Sequence, residues 1–486
     1  MKQAILLMLH KDIEQAKDLI LYFQGKCDIF IHIDKSCKIN EKELETIKSL
    51  PGVINVYQKY KVHWGGYSIL KTEMFLLRQT LKYSDFIYIH LLSGTDYPIK
   101  PLSTFLKKFD IPEYEYIEST HLPNPNWQFN TMHRLQYIFL MDFTPVKNDI
   151  DIKTIWDRAK KWAKYGIKKR IPDDFPHIYG GSQWFSLTRR CIEELLKYTK
   201  KNPKFYRKMR FVFTPDEIYI PTLVMNLDYK DKKIVNDNLR FINWTKFNAP
   251  HPSPLKEQDI GNLALGDNFF ARKVDYNSFK LKEHINKYLL EEEQATYDQT
   301  GICTQKNILN YDFDDELANC IRYLCKVEKI KKVIDLGCGP GYYVNYLRSN
   351  KILSYGYDGN PNIEELSSII MNKTKSPCEN IMLHKPIDSY NNGDLVLLLS
   401  VGEYINKRYE KTVFDNICNI TSKYIIISWA DDKKYDSHII NPKGHNELIR
   451  ELNIRGFTLD PLASQLLKDS AEILQKKHNI YFFKKK

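Results

Sequence analysis

Four short runs in the first half of the chain carry polar residues of types that could bind a ligand or move a proton. Ile29-Phe-Ile-His-Ile-Asp-Lys35 ends an apolar run with His32 and Asp34, and His63-Trp-Gly-Gly-Tyr67 is a tight aromatic turn around Trp64 and Gly65. Leu91-Leu-Ser-Gly-Thr-Asp-Tyr-Pro98 sets Ser93 and Asp96 after another apolar run, and Thr214-Pro-Asp-Glu217 puts two carboxylates before an apolar helical pattern. Ligands of α/β sheets bind at the carboxyl ends of parallel strands, and a carboxylate in such a place can act as a general base. Each run also has a plain structural reading. Thr214 with Glu217 three residues on is a capping-box pattern, and Ser93-Gly94 can be a simple turn.

The second half carries a different signal. Val333-Ile-Asp-Leu-Gly-Cys-Gly-Pro-Gly341 is an apolar strand running into a glycine-rich turn, with Asp335 before Gly337, Gly339 and Gly341. Such a turn lets backbone approach a ligand closely. Tyr355-Gly-Tyr-Asp358 then reads as a second strand ending in a carboxylate 23 positions after Asp335, suited to ribose hydroxyls. Gly393 to Ser400 reads as a further strand of the same fold.

These residues need elements to hold them. Ala4–Leu9, Ile29–Ile33, Val53–Val56 and Phe86–Leu92 read as buried strands, with helix-period apolar residues over Ile13–Phe23 and Ile69–Leu81 between them. That alternation predicts βαβ units and a mainly parallel sheet. After Asp275 the pattern changes to a charged helix over Asn277–Ala295, and a fresh βαβ series begins at Lys331. The expected organisation is a first domain over 1–275, a helical linker over 276–310 and a second domain over 311–486.

A chain of 486 residues is too long for one ordinary core. With 43% hydrophobic and 27% charged residues, wholesale disorder and fibrous folds are excluded. No apolar run nears the ~20 residues that span a bilayer. The formal net charge of +12 favours an anionic partner. Basic residues gather over 148–170, where Lys160, Lys161, Lys164, Lys168, Lys169 and Arg170 alternate with Trp156 and Trp162, and again over Lys200–Arg210. Solvated helix faces and docking against an anionic membrane or lipid-phosphate acceptor are both open readings. The nine cysteines are scattered without a C-x-x-C pair, which points to no disulfide framework, no zinc site and a reducing cytoplasm.

Taken together and in order, seven motifs resemble the core-2/I-branching β-1,6-N-acetylglucosaminyltransferase family, which also includes peptide xylosyltransferases. They are His32-Ile-Asp34, Trp64-Gly-Gly66, Leu92-Ser-Gly-Thr-Asp-Tyr-Pro98, Gly180-Gly-Ser-Gln-Trp-Phe185, Thr214-Pro-Asp-Glu217, Leu239-Arg-Phe-Ile-Asn-Trp244 and Phe270-Ala-Arg-Lys-Val-Asp275. The resemblance implies a GT-A-like fold, a UDP-sugar donor carrying N-acetylglucosamine or xylose, a glycan acceptor, and inversion with Glu217 as base and Asp216 beside it. It implies no metal, with Lys273 at the diphosphate and Arg272 or Arg240 as its partner. On the donor side it implies His32, Asp34, Trp64, Gly65, Ser93 and Asp96. On the acceptor side it implies Glu118, Arg134 and Asp216, with Trp184 and Trp244 as candidates to stack on a sugar or to fill the core. Animal members are luminal and anchored, so a chain without that pattern is expected to be a bacterial, cytoplasmic version that builds a surface polysaccharide and touches at most the inner membrane face.

The second half is similar to class I S-adenosylmethionine-dependent methyltransferases, which have a Rossmann-like fold. That resemblance implies a cofactor site of Asp335, Gly337, Gly339, Gly341, Asp358, Asp388 and Ser400, with Asp388 near the adenine and Gly339 leaving space for the methionine moiety. Glu403 and His445 are the candidate bases. A bifunctional glycan-modifying enzyme and a glycosyltransferase with a non-catalytic, cofactor-binding regulatory module both follow; nucleic acid is not an expected partner.

Overall fold

The structure, a computed structural model, describes residues 2–82, 86–125, 131–144, 146, 149–168, 177–244, 251–292, 297–298, 300–387 and 392–486. Asp388, Lys169 and Arg170 lie outside the described residues. The chain divides into two compact units, Met1–Leu255 with Gly266–Phe279, and Lys256–Leu265 with Lys280–Lys486. Within the stretch expected to be a linker, Phe279–Ile285 is α-helical and Asn286–Leu290 continues as a π-turn.

The first unit is built on strands β1 (Lys2–Leu9), β2 (Cys27–Ile33), β3 (Val53–Tyr57), β4 (Phe86–Ser93), β5 (Asp96–Pro98), β6 (Glu115–His121), β7 (Tyr179–Thr188), β8 (Ile234–Val235), β9 (Arg240–Ile242) and β10 (Phe270–Arg272). Its main sheet has the order β3-β2-β1-β4-β7-β6-β8, and β5, β10 and β9 form a small second sheet. The first four strands pair in parallel, as their alternation with helices predicts. β6 and β8 also pair in parallel, and β7 runs antiparallel to both β4 and β6, so the sheet is mainly parallel with one reversed strand. β7 enters between β4 and β6 after the long segment that carries helix Asp149–Lys164, and its reversed direction is set by that return. β1 sits where the order of the strands reverses, and β1, β2 and β4 end side by side there, which is where such sheets bind ligands. β2 is buried along its whole length, and helix Tyr67–Thr80 buries Ile69, Leu70, Met74 and Leu77.

The second unit is Rossmann-like. Its strands are β11 (Lys332–Leu336), β12 (Leu353–Asp358), β13 (Cys378–Asn380), β14 (Gly393–Leu399), β15 (Thr421–Ser428), β16 (Phe457–Asp460) and β17 (Ile480–Lys485), in the order β13-β12-β11-β14-β15-β17-β16. The first five in that order are parallel, and β17 enters antiparallel between β15 and β16. The three central strands carry buried apolar runs, Val333–Ile334 in β11, Leu395–Leu399 in β14 and Ile425–Ile427 in β15, which two apolar clusters cover. Trp429, 1% exposed, closes one side of the core with its ring stacked on Phe414.

Candidate functional site

In the first unit, Glu217 sits in the first turn of helix Asp216–Asn226 and forms no capping box, since the helix has no side-chain cap. Thr214 takes a left-handed conformation with φ 48°, which turns its hydroxyl toward Arg134. The Arg134 Nη1 donates to Thr214 Oγ1 at 2.6 Å and to Glu217 Oε2 at 2.7 Å. The Arg134 side chain is 3% exposed and that of Glu217 31%, so the pair runs from a buried guanidinium to a carboxylate that solvent can reach. Asp216 points the other way. It is buried, its Oδ1 has no hydrogen-bond partner, and burial followed by the charge of Glu217 pushes its pKa up to about 8. Beneath it lies Glu73, fully buried, with Gln183 Nε2 donating to one oxygen at 2.7 Å and no partner on the other. Burial and then Asp216 raise Glu73 well above the usual carboxylate range. No sequence signal singled out Glu73, which lies inside an ordinary helical pattern.

The Trp64-Gly65 turn belongs to this loop. Gly65, at φ 70°, accepts the Thr214 N–H at 2.9 Å, and a Cβ there would stand 3.0 Å from the Phe213 ring. Trp64 packs edge-on against Phe213 with centroids 5.5 Å apart. Gly181 in β7 is forced by close approach, because a Cβ would collide with the Glu118 carbonyl on β6. Glu118 accepts from Asn238 Nδ2 at 2.6 Å, and partial burial, then the Glu217 charge, raise its pKa against the opposing pull of that bond.

A second group gathers at the ends of β1, β2, β4 and β10. Asp34 is fully engaged by its own loop: Oδ1 accepts from the Ser36 N–H and hydroxyl and Oδ2 from the Val62 N–H. His32 accepts the Tyr60 N–H on Nε2, and burial lowers its pKa to about 4, so it stays neutral. Both fix the chain that leads to Trp64. Asp96, 0% exposed, accepts the Ser93 N–H at 2.6 Å and faces Arg272 at 3.3 Å, while Arg272 also donates to Ser93 Oγ and to Thr95 Oγ1. The Arg272 guanidinium lies 4.2 Å from the centroid of the Trp184 ring. Trp184 is therefore a buried shelf for that cation rather than an open face for a sugar, whereas Trp244 is 48% exposed. Arg240 is buried and held by the Leu91 and Asn238 carbonyls, with Nε lacking a partner. Lys273 makes no ion pair among the described residues; burial, then Arg272 and Lys11, lower its pKa to about 8. The same cations lower His10, after burial. A group of mutually repelling cations at strand ends is a ready anion site.

The second unit holds a cavity of about 180 Å³ over its glycine turn. Asp335, Gly337, Gly339, Asp358 and Ser400 line it. Asp358 accepts the Gly339 N–H at 2.9 Å on one oxygen and the Asn360 N–H at 2.8 Å on the other, which leaves a lone pair on each oxygen for a ligand. Asp335 is buried, its Oδ2 has no partner, and burial, then Asp358, push its pKa up to about 7. Ser400, at φ 56°, donates its N–H to Ser428 Oγ. An orphaned carboxylate oxygen, an acidic strand end and a glycine turn along the cavity wall fit a ligand with cationic and hydroxyl groups.

The packing around the turn bears on the glycines and on the two candidate bases. A Cβ at Gly339 would stand 2.6 Å from the Tyr311 ring, so the absent side chain first makes room for the protein's own tyrosine. Gly337 is likewise packed on Val401, and Gly341, which is not among the lining residues, on Met371 and Cys378. The two candidate bases are not among the residues lining the cavity. Glu403 is fully buried, with Gln475 and the Ala430 N–H on one oxygen. His445 is exposed and lies against Tyr481, centroids 4.7 Å apart. The lining also includes Lys476, 2% exposed, whose pKa burial lowers. No spacing rule connects it with a turn more than a hundred residues away.

The family model described as Core-2/I-Branching enzyme matches residues 4–266. Xylosyltransferase sqv-6 of Caenorhabditis elegans is 23% identical over 262 residues, covering 53% of this chain and 30% of that protein. The chain thus spans less than a third of that relative's length. Solved structures similar to part of the chain include magnesium protoporphyrin IX methyltransferase from Synechocystis PCC 6803 with bound SAM, at 13% identity and a TM-score of 0.28 over 35% of this chain and 78% of that one. N-methyltransferase NodS from Bradyrhizobium japonicum WM9 is 12% identical with a TM-score of 0.29, over 35% of this chain and 86% of that one. At such scores these likenesses add nothing to the strand order of the second unit.

Proposed function

The chain belongs to the Core-2/I-Branching enzyme family, and from that premise we propose that its first unit transfers a sugar from a UDP-sugar to a glycan hydroxyl with inversion. The observation that carries this reading is the Arg134–Glu217 pair, in which a buried guanidinium holds a solvent-accessible carboxylate. In the proposed step an unprotonated Glu217 oxygen takes the acceptor proton while the acceptor oxygen attacks the anomeric carbon and the bond to UDP breaks on the opposite face. Asp216 is unsuited to that task because it faces the core and holds its own proton near neutrality. Lys273, with Arg272 and Arg240 behind it, offsets the charge that develops on the leaving diphosphate, so no metal is required. Trp64, Gly65, His32, Asp34, Ser93 and Asp96 hold the loops that shape the donor side, and Glu118 serves the acceptor. The donor sugar is N-acetylglucosamine or xylose, the latter favoured by the name of the C. elegans relative. The setting is a bacterial cytoplasm, in keeping with nine free thiols, and the product a surface polysaccharide. UDP release from UDP-xylose and UDP-N-acetylglucosamine tests the reading; release from neither would overturn it.

For the second unit we propose S-adenosylmethionine as ligand, which supplies a transferable methyl group when bound. Asp358 would accept the ribose hydroxyls, Asp335 would balance positive charge, and the Gly337–Gly339 backbone and Ser400 would line the rest. Methyl transfer to the same or a related glycan is the first reading. A non-catalytic, regulatory module is the second, favoured by the position of Glu403 and His445 outside the cavity lining. Alignment alone suffices for many displacements, so labelled methyl transfer to purified glycan decides between them.

A further inference from the structure

Helix Asp149–Lys164 covers a small apolar cluster through Ile152, Ile155, Trp156 and Ala159, which pack with Phe139, Met141 and Phe213. Its other face is exposed and basic. Lys153, Arg158, Lys160, Lys161 and Lys164 are all exposed, with Asp157 the exposed acid among them, and these cations form no ion pair among the described residues. The helix ends in a well-formed reversal. The Ile167 N–H donates to the Trp162 carbonyl at 3.0 Å and the Gly166 N–H to the Ala163 carbonyl at 3.2 Å, with Gly166 at φ 80°. This is a Schellman arrangement, in which the residue after the glycine ordinarily folds back onto the helix. Here Ile167 remains 50% exposed and Tyr165 74% exposed, held outward by a hydrogen-bonded turn, with exposed Lys168 following.

Phe143, just beyond Met141 of that cluster, is 70% exposed and lines a pocket of about 310 Å³ with Tyr67, Ser68, Lys71, Arg207 and Arg210. Asp142 in the same pocket is engaged by Ser68. The ring centroid of Phe213, in the same apolar cluster, lies 5.4 Å from the Arg134 guanidinium, which links the helix to the Glu217 site. His133 is lowered by burial and then by the charges of Lys160 and Lys168, and its chain neighbour Arg134 is the residue that holds Glu217.

We propose that this face, made of the outer side of helix Asp149–Lys164, its terminal turn and the Phe143 pocket, docks on the surface of an anionic phospholipid bilayer. The cations match the charge of such a surface, and a polyanion without an acyl layer would leave the outward Phe143, Tyr165 and Ile167 in water. Aromatic and aliphatic tips beside lysines are the chemistry of interfacial anchoring.

Flotation of the full chain with vesicles of phosphatidylcholine, with and without phosphatidylglycerol, tests this. Binding is expected only with phosphatidylglycerol and should fall as salt rises. The triple variant Lys160→Glu, Lys161→Glu, Lys164→Glu should bind roughly a hundredfold more weakly while keeping wild-type UDP affinity, which shows that it is folded. The double variant Phe143→Ser, Tyr165→Ser should weaken binding and make what remains more sensitive to salt. The docking is overturned by equal flotation with neutral vesicles, by no flotation, or by a triple variant that floats like wild type. Full competition by soluble glycerol phosphate would reduce the face to a free phosphate-ester pocket and overturn it as well. So would retention on DNA, or self-association lost in the triple variant, without vesicle binding.

Discussion

In the first unit two guanidiniums already have acceptors, for Arg134 holds Glu217 and Thr214 while Arg272 holds Asp96, Ser93 and Thr95, whereas Lys273 makes no ion pair among the described residues. In the cavity of the second unit no such pair is made: Asp335 Oδ2 is buried without a partner, and Lys476 is buried with no ion pair among the described residues. Leaving a charged group unpaired in a low-dielectric interior is costly. The Arg134–Glu217 pair is therefore set before a ligand arrives, as electrostatic preorganisation requires, while the Lys273 group awaits an anion. The cavity of the second unit is completed by what enters it. The contrast teaches that a charged site can be built for rate by pairing its own groups, or for capture by leaving groups unpaired.

The sharpest way to break the first half of this contrast is Glu217→Gln. It keeps the side chain's shape and one oxygen for Arg134 but removes the proton acceptor, so turnover should fall ~10²- to 10⁴-fold with UDP affinity unchanged. Steady-state UDP release and titration with UDP check the two parts; if Asp216→Asn is inactive and Glu217→Gln is not, the carboxylates have been assigned in reverse. Lys273→Ala should weaken UDP binding by about 10- to 100-fold, the loss of one charge-assisted bond, and wild-type transfer should persist in EDTA. Strong dependence on Mg²⁺ or Mn²⁺ would place the compensating charge elsewhere.

For the second unit, Asp358→Ala should weaken binding of S-adenosylhomocysteine by roughly tenfold or more and leave UDP release intact. The smallest effect sharpens the contrast itself. Asp335 has a folded-state pKa raised to about 7 against an ordinary carboxylate near 4 in the unfolded chain. The folded form binds its proton more tightly, so stability is fullest below pH ~4 and declines as pH rises through the window from ~4 to ~7. Asp335→Asn removes that decline: the ligand-free variant should melt higher than wild type at pH 8 and similarly at pH 4. Arg134→Met should do the opposite, lowering the melting temperature at neutral pH because it strips a buried partner from Glu217. Scanning calorimetry of both variants across pH measures the difference.

Much of the fold was legible in the residues. The apolar runs at Ala4–Leu9, Ile29–Ile33 and Phe86–Leu92 lie within β1, β2 and β4, because a strand buried on both faces must be continuously apolar. The antiparallel β7 was not legible, since the sequence states which segments are strands but not the direction of a pairing reached after a long excursion. Gly65, Gly181 and Gly339 stood out as glycines, yet what demands them is non-local: the Phe213 ring, the Glu118 carbonyl and the Tyr311 ring. Arg134 and Glu217, 83 residues apart, could be paired in advance only through a family resemblance. Glu73 and Lys476 carry no motif, and only burial exposes their unusual charge.

The central claim is that one chain carries a metal-independent nucleotide-sugar site and a separate adenosyl-cofactor site. Calorimetric titration of the full chain in EDTA, first with UDP and then with S-adenosylhomocysteine, tests it most directly. One equivalent of each is expected, the first weakened about 10- to 100-fold in Lys273→Ala and unchanged in Asp358→Ala, the second unchanged in Lys273→Ala and weakened roughly tenfold or more in Asp358→Ala. Absence of UDP binding in EDTA, or of S-adenosylhomocysteine binding at millimolar concentration, would contradict it.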